Sequence, residues 1–131
     1  MKFSRILIVG FGGFLGAALR YVISNVTTES FGSFPIGTLI VNVAGGFIMG
    51  VIMEASNSLW PISAEARLFL TTGILGGLTT FSTFSYETIS YLSNGKYLMG
   101  GLNAGLNLTL ALFACWLGRL TVLKLAWAAH S

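Results

Sequence analysis

Gly73-Ile74-Leu75-Gly76-Gly77-Leu78-Thr79-Thr80-Phe81-Ser82-Thr83-Phe84-Ser85 reads as a membrane-spanning helix interrupted in its middle. Adjacent glycines followed by two threonines weaken helix continuity, the former through backbone entropy and the latter through lost χ1 freedom. Unwound backbone at membrane depth persists only where protein, water or an ion satisfies its polar groups. The interval 76–80 is therefore a candidate binding site. Phe81 and Phe84 are three residues apart and share a helix face, with the hydroxyls of Ser82, Thr83 and Ser85 interleaved. An aromatic ring has a negative face and a positive edge. Ring edges with hydroxyl and amide donors attend a small anion without offering a full countercharge, which would trap it. Simple packing of two rings at helical spacing is the competing reading.

The rest of the chain places this stretch in a bilayer. Of 131 residues, 54% are hydrophobic and 8% charged, against a usual charged share of roughly 25%. So few ionic groups do not cover a water-facing surface. A spanning helix takes about 20 apolar residues, and the apolar runs divide into four spans at about 3–24, 36–53, 66–92 and 97–125 within a single domain, 1–131. The expected fold is an all-α membrane protein of four transmembrane helices, the third broken at 76–80. Polar stretches from Asn25 to Pro35 and from Glu54 to Glu65, and the turn signal Ser93-Asn94-Gly95-Lys96, separate the spans. The first run is near spanning length and is followed by no A-x-A cleavage site, so it is a span and not a signal peptide. Trp60, Tyr97 and Trp127 suit interface belts. Lys2, Arg5, Arg67, Arg119 and Lys124 outnumber Arg20 and Lys96 across the membrane, a small bias toward cytoplasmic ends.

The residue inventory excludes much chemistry. The four acidic residues are all glutamates, the one histidine is His130, and the one cysteine, Cys115, sits among apolar neighbours as an inert helix residue. A metal site of converging side chains, a Ser-His-Asp triad and a haem ligand set all lack their parts. The chain is not expected to be an enzyme. Its net charge of +3 marks topology and not a nucleic-acid surface. Gly10-Phe11-Gly12 is followed by Leu15 where a dinucleotide fingerprint needs glycine.

Seventeen glycines place a G-x-x-x-G pair in every span: Gly12/Gly16, Gly46/Gly50, Gly73/Gly77 and Gly101/Gly105. Small residues four apart let helix backbones approach where lipid gives no hydrophobic drive, so all four helices are expected to pack closely. Asn42 lies near the middle of span two, with Thr38 one turn before it on the same face. Two readings fit Asn42: an interhelical hydrogen bond, or an amide donor facing a permeating anion.

These stretches carry a resemblance over essentially the whole chain. Gly12 to Tyr21 (GGFLGAALRY), Gly37 to Asn42 (GTLIVN) and Gly76 to Glu87 (GGLTTFSTFSYE) are similar, in order and spacing, to the signature stretches of the Fluc/CrcB fluoride channel family. The resemblance implies four-helix subunits paired as an antiparallel, dual-topology homodimer in the bacterial inner membrane. It implies two passive fluoride pathways that export the ion and reduce its cytoplasmic toxicity, and a structural sodium ion that is not transported. By motif, Gly76 and Thr79 would offer backbone carbonyls to sodium. Phe81 and Phe84 would line the fluoride track, Asn42, Thr38, Ser82 and Thr83 would supply polar groups along it, and Glu87 matches a family glutamate. Arg20 matches an arginine near the end of span one, either as an anion-attracting vestibule or as a snorkelling anchor. Asn103 and Asn107 share a face of span four, where the family more often shows hydroxyl side chains.

A small four-helix multidrug/proton antiporter would share the size and dual topology, but it needs a membrane carboxylate in span one, and Phe3 to Ser24 contains no acid. A non-catalytic membrane subunit would explain the glycines and leave the phenylalanine–hydroxyl run without a purpose. Selection of fluoride over chloride rests on the resemblance, although a small, hard, strongly hydrated anion does demand several close donors.

Overall fold

The computed structural model describes residues 1–131 and is helical almost throughout. Helix α1 spans Phe3–Phe31 and α2 spans Ile36–Ser58. The third membrane segment is composite: α3 (Ala64–Leu68) runs into a π-helical stretch, Phe69–Leu75, and a last turn, α4 (Gly76–Leu78), before the chain extends at Thr79 and Thr80. Helix α5 (Phe81–Ser93) completes that segment, and α6 (Tyr97–His130) ends the fold. Four segments, Phe3–Phe31, Ile36–Ser58, Ala64–Ser93 and Tyr97–His130, are long and apolar enough to cross a membrane. The chain is a multi-pass membrane protein. Only 21 of 131 residues are buried, so most of its apolar side chains are turned outward, as a lipid-facing surface requires.

The first span differs from the sequence expectation of an end near Ser24. Helix α1 continues for about two more turns because its polar residues join the helix. Thr27, Thr28 and Ser30 donate their hydroxyls to the carbonyls of Ile23, Ser24 and Val26, leaving the backbone ladder intact. The chain turns at Gly32, whose φ of 77° is easy only for glycine.

The interruption falls at the threonine end of the expected interval. Gly76 and Gly77 are helical, whereas Thr79 (φ −80°, ψ 154°) and Thr80 (φ −150°, ψ 120°) are extended. Glycine weakens a helix by only about 1 kcal/mol relative to alanine, which close packing offsets here. A Cβ on Gly77 would sit 2.5 Å from the Gly13 carbonyl oxygen. Thr80 then caps α5, its hydroxyl accepting from the Thr83 N–H at 3.2 Å, so the helix restarts one residue later.

Helix α2 lies along α6, and α1 lies along the α3–α4 segment. Gly46, Gly50 and Gly118 bring the first pair together against the carbonyls of Ala111, Cys115 and Phe47; Gly12 and Gly16 bring the second pair together against Phe69 and Ile74. The fourth glycine pair does not follow this pattern. Gly101 and Gly105 meet no atom within 4 Å, because α6 turns that face away from the rest of the chain. Arg5–Glu65 at 3.4 Å joins the starts of α1 and α3, and Arg119–Glu54 at 3.0 Å ties α6 to the last turns of α2.

Candidate functional site

Asn42, on α2, holds the interruption open. Its Oδ1 accepts from the Thr80 N–H at 2.9 Å and its Nδ2 donates to the Thr80 carbonyl at 3.2 Å. One side-chain amide thus satisfies both polar groups of a residue outside the helical ladder, where an orphaned group in hydrocarbon would cost several kcal/mol. The second Nδ2 hydrogen goes to Asn107 Oδ1 at 2.8 Å. Asn107 in turn donates to the Asn103 carbonyl and Oδ1, and Asn103 donates to the Thr88 hydroxyl at 3.1 Å. A continuous amide ladder therefore ties α2 and α6 to α5. Both amide hydrogens of Asn42 are committed, so its interhelical role is the one seen in the structure. Asn103 and Asn107 are buried members of the same ladder.

Two cavities meet at Thr80. The first, of about 330 Å³, is lined by Asn42, Thr79, Thr80, Phe81, Phe84 and Asn107 together with small and apolar groups. The rings of Phe81 and Phe84 are 5.2 Å apart between centroids and inclined by 53°. Phe84 is 7% exposed and Phe81 72%, so Phe84 is packed within the helix bundle and Phe81 projects from it. The second cavity, of about 370 Å³, is lined by Arg20, Tyr21, Ser24, Thr38, Thr80 and Thr83. Ser82 lines neither, although its hydroxyl lies 3.4 Å from that of Thr80.

The second cavity has donors to spare. Arg20 Nε is buried without a hydrogen-bond partner. Thr83 accepts from the Thr80 hydroxyl at 3.1 Å, which leaves its own hydroxyl hydrogen free. Glu87 stands behind this cavity: its Oε1 accepts from the Thr38 hydroxyl at 2.6 Å, and its Oε2 is buried and unpartnered. Arg20 and Glu87 form no ion pair, the two pairs of the chain being Arg5–Glu65 and Arg119–Glu54. The Arg20 side chain and the free Thr83 hydroxyl line one cavity, and a cation and an O–H donor placed together can receive a small anion.

Sequence reading did not single out Thr80, which touches both cavities. The available signal was its place two residues before Ser82 and three before Thr83, the hydroxyl-first pattern of a helix restart. Gly76 and Thr79 form a different part of the site. The Thr80 N–H, which in an unbroken helix would donate to the Gly76 carbonyl, is taken by Asn42. The Gly76 carbonyl loses its helical donor, and the Thr79 carbonyl belongs to an extended residue. Hard cations take oxygen ligands of this kind, so the two carbonyls fit a sodium ion in donor chemistry.

Fold and site together define a small multi-pass membrane protein built around an interrupted helix, with two cavities that meet at the interruption. The chain belongs to the CrcB family, matching the family model described as CrcB-like protein, Camphor Resistance (CrcB), over residues 7–119. It is 56% identical over 114 residues to a protein of Clostridium novyi named Fluoride-specific ion channel FluC, covering 86% of this chain and 89% of that one. It is 46% identical over 120 residues to the FluC of Campylobacter fetus, covering 90% and 93%. It is 43% identical over 121 residues to FluC 1 of Methanosarcina acetivorans, covering 92% of each.

Proposed function

We propose that this chain is a fluoride-selective passive channel that lets fluoride leave the cytoplasm across the plasma membrane of a bacterium. The observation that carries the reading is the cavity beside the helix interruption, lined by Arg20 and by Thr83, whose hydroxyl hydrogen is free. The names of the relatives, which describe a channel and not an enzyme, support it.

In this reading fluoride gathers at Arg20, passes Thr83 and Thr80, and continues along the ring edges of Phe81 and Phe84. Each station offers donors or positive ring edges without a full countercharge except at the mouth, so no site binds too tightly to release the ion. Ser82 adds a hydroxyl on the exposed side of Thr80, and Thr38 is held in place by Glu87. Asn42 serves by fixing the backbone that presents Thr80 and Phe81. The exposed side of Phe81 calls for a second subunit. An antiparallel homodimer would enclose two such pathways, and the weak charge bias of the sequence agrees with subunits inserting both ways. Gly76 and Thr79 of both subunits would hold one sodium ion at the interface, where its charge fixes the interrupted backbone of the pair.

The test is ion efflux from liposomes that contain only this purified chain, with a potassium ionophore to dissipate voltage. Rapid fluoride release with negligible chloride release is expected. No fluoride release from verified dimers would overturn the reading.

A further inference from the structure

The end of the bundle opposite the Arg20 cavity holds a third cavity, and the proposed conduction does not use it. It has a volume of about 370 Å³ and lies where the start of α1, the end of α2 and the start of the third segment converge. Its polar side is formed by Arg5, Arg67 and Thr72, and its apolar side by Met53, Ala64 and Leu68. We propose that this cavity binds the phosphate headgroup of an anionic phospholipid.

Charge comes first. Arg67 makes no ion pair, and the only partner of Arg5 is Glu65 at 3.4 Å, with both side chains about half exposed (47% and 51%). Such a surface pair contributes little and yields readily to a better acceptor. Two guanidinium groups from different segments thus line one cavity that no carboxylate lines, and Lys2 precedes α1 on the same side. Guanidinium is the side chain suited to bidentate phosphate recognition. Thr72 adds a hydroxyl that makes no hydrogen bond, whereas the neighbouring Thr71 hydroxyl is turned back onto the Arg67 carbonyl.

Position and shape favour a lipid over a free anion. The cavity is at a membrane end of the helices, where basic pockets between spans take anionic headgroups. Phe3, Trp60 and Ile62 are exposed at the same end and offer an apolar rim to acyl chains, with Trp60 suited to the interface. Met53, Ala64 and Leu68 would be of no use to an inorganic ion, but they would contact the glycerol and upper acyl carbons of a phospholipid.

Native mass spectrometry of the full-length protein in detergent, with added phosphatidylglycerol or phosphatidylcholine, tests the proposal. Phosphatidylglycerol should be retained in preference, and Arg5→Gln with Arg67→Gln should reduce its retention about tenfold. Arg67→Lys should lose part of it, because the charge stays while the planar fork is gone. Lys96→Gln, at the start of α6 and the opposite end of the bundle, should leave it unchanged. Gel filtration and helicity of each variant establish folding, and Arg67→Lys alone serves if the double variant does not fold. Equal retention of the two lipids, or retention unaffected by Arg67→Lys and by the double variant, would overturn the proposal. Displacement of phosphatidylglycerol by millimolar inorganic phosphate would also overturn it and assign the cavity to a soluble anion.

Discussion

The side-chain amide of Asn42 pairs with both polar groups of the Thr80 backbone, at 2.9 Å to the N–H and 3.2 Å to the carbonyl. This one relationship explains why an interrupted helix is stable at membrane depth, and why the restart at Phe81 has a fixed orientation.

Replacing Asn42 by leucine keeps the volume and removes both bonds. Each buried backbone group left unpaired costs about 1–3 kcal/mol. Asn42→Leu should therefore lower the thermal midpoint of the detergent-solubilised protein and reduce fluoride efflux from liposomes at least tenfold. Efflux within twofold of the parent chain would show that the Thr80 backbone does not depend on Asn42.

The two phenylalanines should separate by stability and not by flux. Phe84 is buried in the subunit and Phe81 projects from it. Phe84→Ile should destabilise the fold by about 1 kcal/mol, and Phe81→Ile should leave the subunit unaffected. Both remove ring edges, so both should impair fluoride passage. Near-normal efflux in both variants would exclude the ring-edge pathway.

The Thr38 hydroxyl donates to the Glu87 carboxyl at 2.6 Å. Thr38→Val should destabilise the protein by about 1–3 kcal/mol, because it leaves a half-buried acceptor unpaired. Glu87→Gln keeps a carbonyl oxygen for the hydroxyl and should be milder. Thermal melting of the two variants side by side decides it: an equal or larger loss in Glu87→Gln would mean that the carboxyl's charge, not its hydrogen bond, matters to the fold.

Gly16 and Gly105 should respond differently to the same added methyl group. A Cβ on Gly16 collides with the Ile74 carbonyl, while one on Gly105 meets nothing within 4 Å in its own subunit. Gly16→Ala should cost about 1–3 kcal/mol through displaced backbone, and Gly105→Ala should leave subunit helicity and its melting unchanged. Circular dichroism at rising temperature checks both.

Exchanging sodium for a bulky organic cation should abolish fluoride efflux if the Gly76 and Thr79 carbonyls hold a structural ion. A sodium gradient should not drive fluoride uphill. Uphill movement in a flux assay would make sodium a coupling ion and not a structural one.

Much of the architecture was legible from the residues. Hydropathy placed four spans because hydrocarbon admits only long apolar helices. The run from Gly73 to Ser85 announced a break because its local preferences disagree with a continuous helix. The reading missed the length of α1, since Thr27, Thr28 and Ser30 look like loop residues until their hydroxyls are seen on helix carbonyls. Gly101 and Gly105 meet nothing within their own chain, because spacing along a helix reveals a shared face but not the direction in which that face is turned.

By itself the sequence determined that the protein lives in a bilayer, that its third segment is discontinuous, and which polar residues lie at membrane depth. Those properties follow from composition and local preference, which neighbours in space do not alter. Tertiary structure alone decided that the break sits at Thr79 and Thr80 and not at the paired glycines, since Asn42 lies 38 positions away along the chain. It also decided that Asn42, Asn107 and Asn103 satisfy one another while Arg20 Nε is left without a partner. A hydrogen bond depends on distance and angle between groups that the chain order keeps apart, and only the packed helices set those.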